Sequence, residues 1–137
     1  MNLSAPPHAA QGRPLRAAAR CALVLGLGTA ACSSPPLACR VTPDGYTAPE
    51  DGTVSYGASV TGAATIKSVV YRGQDKPVTV AEPTLPFELQ VPVASGASIA
   101  ITVYGSIDNG EEGNVLVSYS FLAANGGNSY EFHASCR

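Results

Sequence analysis

The feature that most restricts the fold is a strict alternation of apolar and polar residues. It is clearest where five apolar side chains lie two positions apart: Leu85, Phe87, Leu89, Val91 and Val93. Such alternation places one face of a β-strand in a core and the other in solvent. Pro86 and Pro92 fall on the opposite face, and proline cannot donate to a sheet ladder. This segment is therefore predicted to be an edge strand or an interrupted one.

The same pattern continues from residue 53 to the C-terminus, interrupted by turn residues. Gly62-Ala63 and the Asn-Gly-Gly-Asn segment at 125–128 are predicted turns, because Gly and Asn tolerate a positive φ. No stretch after residue 33 has a helical period over three turns. These observations predict an all-β fold, an immunoglobulin-like Greek-key β-sandwich of about seven strands.

Residues 1–31 are predicted to be a signal peptide. Three arginines precede an apolar run at 21–31, and small residues end that run. A helix of this length covers only about 16 Å, roughly half of a hydrocarbon core, and is too short to cross a membrane. Translation from Leu15 would give a more compact leader, and this alternative start stays open.

The end of the leader, Thr29-Ala30-Ala31-Cys32, resembles a lipobox, the motif whose cysteine is acylated. Cys32 is thus the predicted lipidation site. Ordinary cleavage after Ala31 is the alternative, because Thr29 replaces the leucine that is usual there. Residues 32–52 are predicted to be a lipid-anchored linker with a short first strand around Ala38–Val41, and residues 53–137 to be the β-sandwich domain.

Two cysteines then remain in the exported part, Cys39 and Cys136. An even pair in an oxidising compartment favours a disulfide. Cys136 shares the phase of Phe132 and is expected to face the core, where Cys39 can meet it if the first and last strands approach. A redox thiol or a metal ligand is the alternative role for either cysteine.

Few residues are candidates for chemistry. His133 is out of phase with Phe132 and is expected on the surface, without a nucleophile motif beside it. Asp108, Glu111 and Glu112 lie close enough in sequence to offer oxygen ligands to Ca²⁺, but their spacing is not that of an EF-hand, and a solvated hairpin turn is the favoured interpretation. Five tyrosines could line a binding face or fill half-buried strand positions: Tyr56, Tyr71, Tyr104, Tyr119 and Tyr130. No metal and no cofactor are predicted.

The charge of the exported part argues against one class of partner. After residue 32 there are five Lys and Arg residues against ten Asp and Glu residues, a net charge of −5. Nucleic-acid binding needs a basic surface to neutralise phosphates. A nucleic-acid partner is therefore not expected.

The strands resemble a known family. The residues that carry the likeness are Val54-Ser55-Tyr56, Val60-Thr61-Gly62, Ile66, Val70-Tyr71 and Leu85-Pro86-Phe87. This series is similar to the soluble domain of the MmpS family over residues 54–93, with Phe87 where that family has Trp. The resemblance implies an immunoglobulin-like sandwich that assists a large envelope exporter of lipids or small molecules.

Together these features predict an exported, lipid-anchored interaction module of the bacterial cell envelope. It would face the periplasm or the cell surface, be tied to the membrane by its N-terminal lipid, and bind an envelope protein whose identity is open. It is not expected to be an enzyme. The alternative function is that of an accessory subunit of an envelope exporter, as the MmpS resemblance implies.

Overall fold

The structure, a computed structural model, describes residues 35–137. The predicted signal peptide, the alternative start at Leu15 and the lipidation site Cys32 lie outside the described residues. The all-β prediction is confirmed, since the described part forms strands and loops. The strands are β1 (Leu37–Val41), β2 (Tyr46–Thr47), β3 (Gly52–Gly62), β4 (Ala64–Arg72), β5 (Pro77–Ala81), β6 (Phe87–Val93), β7 (Ser98–Ile99), β8 (Ile101–Ile107), β9 (Gly113–Ala123) and β10 (Ser129–Cys136).

The strands form two four-stranded sheets and one short ribbon, all antiparallel. Sheet I has the order β1-β8-β4-β5 and sheet II the order β10-β9-β3-β6, while β2 pairs with β7. The longest pairing joins β3 to β9 along their whole length, from Gly52↔Ala123 to Gly62↔Gly113. Consecutive strands often lie in different sheets, so the chain passes repeatedly from one sheet to the other.

The inner faces of the two sheets share one hydrophobic core. Alternate residues of β3, β8 and β9 supply most of its fully buried side chains: Val54, Tyr56, Ile101, Val103, Val115, Val117, Tyr119 and Phe121. Aromatic contacts link the sheets, since the rings of Tyr56 in β3 and Tyr71 in β4 have centroids 5.5 Å apart. The alternation predicted from residue 53 onward thus recurs in the buried positions of these strands.

A β-bulge in β4 corrects one detail of the predicted pattern. The pairing with β8 shifts between Ile66 and Ser68, which leaves Lys67 as an extra residue. Ile66 and Val69 are consequently both buried although they lie three positions apart. A bulge inserts one residue and reverses the phase beyond it, so a strict period of two fails here.

The strand at 87–93 is an edge strand, as its prolines predicted. β6 is the last strand of sheet II, and Pro86 and Pro92 are exposed. Phe87 and Leu89 point inward, but they are only half-buried because no strand lies beyond them. Val91 and Val93, farther along the same strand, are buried.

The domain begins earlier than residue 53, the boundary that the sequence indicated. Its compact unit spans Ser34–Arg137. β1 pairs with β8, and β2 pairs with β7, so most of the predicted linker is part of the folded unit. The short first strand predicted around Ala38–Val41 is β1, whereas the Ser, Pro and Gly content of this region concealed β2. The partners of both strands lie more than fifty residues away in sequence.

Two glycines explain the predicted turns. Gly62 has a φ of 63° between β3 and β4, and a Cβ there would overlap the carbonyl oxygen of Glu112. Gly126 has a φ of 71° in the loop between β9 and β10. In that loop the backbone N–H of Gly127 donates to Oδ1 of Asn125 at 2.8 Å. Both turns need the left-handed conformation that glycine adopts without strain.

Candidate binding surfaces

A disulfide joins the first and last long strands of the fold. Cys39 in β1 of sheet I bonds to Cys136 in β10 of sheet II, and their Cα atoms are 6.1 Å apart. The predicted pairing is thereby confirmed in the structure. Cys39 is buried in the core, so this bond fastens the two sheets to each other at the β1–β10 side.

The acidic segment is a hairpin loop between β8 and β9. Asp108, Glu111 and Glu112 are all exposed, and the backbone N–H of Glu111 donates to the carbonyl of Asp108. Within residues 35–137, no group of three His, Cys, Asp or Glu side chains lies close enough to hold a metal ion. The loop borders an open concavity of about 680 Å³ beside Leu37 and Arg137.

The tyrosines do not form one face. Tyr56 and Tyr119 are buried, and each donates its hydroxyl hydrogen to a backbone carbonyl, Tyr56 to Arg72 at 3.0 Å and Tyr119 to Asp44. Burial raises the pKa of each phenol to about 12, and the neighbouring ring adds to the rise. These two residues therefore have a structural role in the core.

The other tyrosines lie in different regions of the domain, and two of them are at the surface. Tyr104 is 39% exposed on the outer face of sheet I, where the guanidinium of Arg40 lies 5.8 Å from its ring centroid. Tyr130 is exposed at the end of β10 and its ring centroid is 4.8 Å from that of Tyr46. Tyr71 packs half-buried between Tyr56 and Phe87. The hypothesis of a shared tyrosine-lined binding face is thus not supported by their positions.

The outer face of sheet II has a shallow polar depression that the sequence analysis missed. Small residues of the two central strands form its floor, and longer polar residues of the two edge strands form its sides. We call this the polar trough: Ser55, Gly57, Glu88, Gln90, Ser118, Ser120, Glu131 and His133. It contains two adjoining concavities of about 390 and 310 Å³, and the smaller one is also lined by Pro86, Phe87 and the exposed Leu116.

Pairing of the strands sets the cross-section of the trough. One cross-strand row runs Gln90, Ser55, Ser120 and Glu131, and the next runs Glu88, Gly57, Ser118 and His133. Gly57 keeps the floor low, since a Cβ there would lie 3.0 Å from Oγ of Ser118. Four strands at about 4.8 Å spacing place the two sides roughly 14 Å apart. The trough is wide enough for an extended chain or a sugar ring.

His133 belongs to one side of this trough. As predicted it faces outward, and its Nε2 lies 3.0 Å from Oε1 of Glu131, with both side chains 66% exposed. Ser118 is its cross-strand neighbour, but none of the side-chain hydrogen bonds among residues 35–137 joins the two. A serine nucleophile requires such a bond to its base. Ser118 and His133 are therefore cross-strand neighbours in the trough that are not hydrogen-bonded to each other.

One feature of the sequence could have indicated the polar trough. The outward positions of β3 are all Ser, Thr or Gly. Those of β9 include Ser118 and Ser120 at its centre, with the exposed Leu116 and Leu122 on either side. That these two strands are neighbours is what gathers the small residues together. No family model, no curated protein and no solved structure matches this chain. The MmpS resemblance accordingly stays a prediction.

The charges on the strands differ between the two sheets. The strands of sheet I contain Arg40, Lys67 and Arg72 and no Asp or Glu. The strands of sheet II contain Glu88 and Glu131 and no Lys or Arg. Residues 35–137 contain no helix long and apolar enough to cross a membrane.

Proposed function

We propose that this protein is an exported, lipid-anchored interaction module of the bacterial cell envelope. The polar trough is the observation that carries the proposal, because its sides and floor offer hydroxyl, amide and carboxylate groups over one continuous surface. The disulfide between Cys39 and Cys136 supports export, since such bonds persist in oxidising compartments. The ligand is a polar segment of an envelope protein, and no chemical step is involved.

We further propose that the fold is an immunoglobulin-like Greek-key sandwich. The return of β6 to lie beside β3, and of β8 to lie beside β4, supports a Greek-key path across the two sheets. The last strand, β10, lies beside the strand before it, as in immunoglobulin domains. The strand before it, β9, leaves β8 and pairs with β3, and β1 takes the place next to β8.

The anchor is tested by changing Cys32 to Ala in the full chain. We expect the variant to leave the membrane fraction, because a cysteine acyl group supplies the attachment. Mass spectrometry of the wild-type N-terminus should show the acyl mass. Equal membrane partitioning of Cys32→Ala and wild type, with no acyl mass, would refute the lipoprotein part of the proposal.

The trough is tested by site-specific photo-crosslinking of the full chain in its own envelope. A photoreactive residue at Ser120, on the trough floor, should yield a discrete protein adduct. The same residue at Thr102, outward on sheet I, is the matched control and should not yield it. Gly57→Leu fills the floor and should weaken the Ser120 adduct. Identical adducts from both positions, or none from Ser120, would reject the trough as the binding surface.

A second candidate function is the exporter accessory role. The residues that resemble the MmpS family, 54–93, include β3 and β6, and therefore one side and half of the floor of the trough. If this role is correct, the Ser120 adduct will contain a large membrane exporter. An adduct with another envelope protein supports the first candidate instead.

A further inference from the structure

The outer face of sheet I concentrates the basic residues of the domain. Arg40 points outward because Cys39 and Val41, its neighbours in β1, are buried. Lys67 is the extra residue of the β4 bulge and is exposed. Arg72 is outward at the end of β4, opposite Pro77. We call the surface formed by these three bases the basic face.

Strand pairing fixes the dimensions of the basic face. Arg40 and Ser68 both pair with Tyr104, so Arg40 and the Lys67 bulge are separated by two strand spacings, about 10 Å. Lys67 and Arg72 are five residues apart on one strand, roughly 16 Å. The exposed ring of Tyr104, on β8, lies between Arg40 and Lys67. Three cations around an amphipathic tyrosine suit a lipid headgroup layer, where tyrosine is enriched.

Neighbouring charges leave the basic face net positive. Lys76 and Asp75 lie in the β4–β5 turn, and Glu82 lies after β5 with its backbone N–H bonded to the carbonyl of Lys67. With the three bases of the face, this makes four cations against two anions. The surface therefore has the opposite sign to the exported chain as a whole, which is net negative.

The proposed anchor would hold this sheet close to a membrane. Only four residues separate Cys32 from Leu37, the first residue of β1. At up to about 3.5 Å per residue, the five steps between the two Cα atoms reach roughly 17 Å. β1 is itself an edge strand of sheet I, so the membrane can meet either the basic face or the end of the fold at Leu37.

Charge distinguishes these two orientations. Leu37 pairs with Ile107, and the acidic loop with Asp108, Glu111 and Glu112 follows directly. An anionic bilayer repels this end and attracts the basic face, by about 1 kcal/mol per cation near the surface.

We propose that the basic face of sheet I binds the anionic phospholipid surface and that the polar trough of sheet II faces away from the membrane. This orientation rests on the proposed lipid anchor, which keeps the domain at the membrane. The preference for anionic lipid is a property of the folded domain alone. Sheet I thus contacts lipid, and sheet II contacts the protein partner.

The first test removes the anchor. The full chain carrying Cys32→Ala is floated with vesicles of phosphatidylcholine alone or of phosphatidylcholine and phosphatidylglycerol in equal parts. We expect binding to the anionic vesicles only, weakened by salt because exposed charges are screened. A triple variant that replaces all three bases of the basic face by Gln (Arg40→Gln, Lys67→Gln and Arg72→Gln) should reduce binding to the anionic vesicles on the order of 100-fold.

Single variants provide the matched control for this test. Arg72→Gln should weaken flotation several-fold, whereas Arg137→Gln, which removes a base beside the acidic loop, should have a smaller effect. Arg72→Lys should retain binding, because the lipid surface responds to charge. Equal flotation with both kinds of vesicle, or equal losses from Arg72→Gln and Arg137→Gln, would overturn the proposal.

The second test uses the wild-type chain with its own N-terminus. An environment-sensitive fluorescent amino acid replaces Thr79 on edge strand β5 of sheet I or, in the control, Gln90 on edge strand β6 of sheet II; both positions are exposed and outward. Headgroup-located nitroxide lipid should quench the probe at position 79 more strongly than the probe at position 90.

The two tests fail in different ways. Wild-type protein without an acyl group would contradict the proposed anchor, while the Cys32→Ala flotation would still decide whether the basic face binds lipid. An acylated protein with equal quenching at both positions would overturn the orientation and leave the anchor intact.

Discussion

Replacement of Tyr119 by Phe should make the protein less stable at neutral pH and relatively more stable in strong alkali. The Tyr119 hydroxyl donates to the carbonyl of Asp44 from a side chain that is 1% exposed. Loss of such a bond costs about 1 kcal/mol net. Burial also raises the pKa of Tyr119 to about 12, against roughly 10 in an unfolded chain.

The sign of the pH effect follows from that rise. A phenol with a raised pKa stabilises the fold fully below about pH 10 and loses this contribution as the pH rises toward 12. With pKa values of about 10 and 12, the loss is roughly 0.4 kcal/mol at pH 10 and 1.4 kcal/mol at pH 11. The Tyr119→Phe variant has no phenol at this position and would show no such loss. The stability difference between the two proteins should therefore close near pH 11 and reverse above it.

Urea unfolding followed by far-UV circular dichroism, at steps from about pH 8 to pH 11.5, measures this difference directly. The contributions of groups that titrate in both proteins cancel in the stability difference, provided that both proteins have the same dependence of unfolding free energy on urea concentration. Tyr56→Phe should behave similarly, since burial also raises the pKa of Tyr56 to about 12. The double variant should lose more of the alkaline slope than either single variant. A Tyr119→Phe protein whose deficit stays constant to pH 11.5 would refute the reasoning.

Two further predictions test the core and the disulfide. Phe121→Ala should lower the free energy of unfolding by about 3–5 kcal/mol, because the side chain is fully buried. Leu122 is 56% exposed on the opposite face, so Leu122→Ala should lower it by no more than about 0.5 kcal/mol. Similar urea midpoints for the two variants would contradict the register of β9. The double variant Cys39→Ala, Cys136→Ala should lower the free energy of unfolding by up to about 4.7 kcal/mol, since the disulfide closes a loop with a sequence separation of 97. A loss below about 1 kcal/mol in urea unfolding would contradict this prediction.

Much of the inward face could be predicted from alternation, because burial of one face of a strand imposes a period of two. Val91 and Val93 were identified in this way and are buried. Alternation does not mark the buried residues where the backbone departs from a regular strand. At the Lys67 bulge the phase changes without a glycine or proline to mark it, so Ile66 was not recognised as a core residue.

The position of β1 shows a second limit of sequence patterns. The sequence indicated a short strand here but placed it in a linker, because five residues with two buried side chains are too short an alternation to show that the strand belongs to a sheet. Its stability within the fold comes from pairing with β8 and from the bond between Cys39 and Cys136. Contacts of such long sequence separation leave no trace in a local window, although the cysteine pair did indicate that the chain ends meet.

The two surfaces that carry the proposals depend on pairings of this kind. Ser55 and Ser120 form one floor only because β9 leaves the sheet of β8 and pairs with β3. Arg40 joins Lys67 and Arg72 on one face only because β1 fills the position beside β8 that β9 has left. The same exchange of strands therefore forms both the polar trough and the basic face. A variant that disrupts the β1–β8 pairing is accordingly expected to weaken lipid binding directly, while the β3–β9 floor of the trough keeps its own hydrogen-bonded ladder.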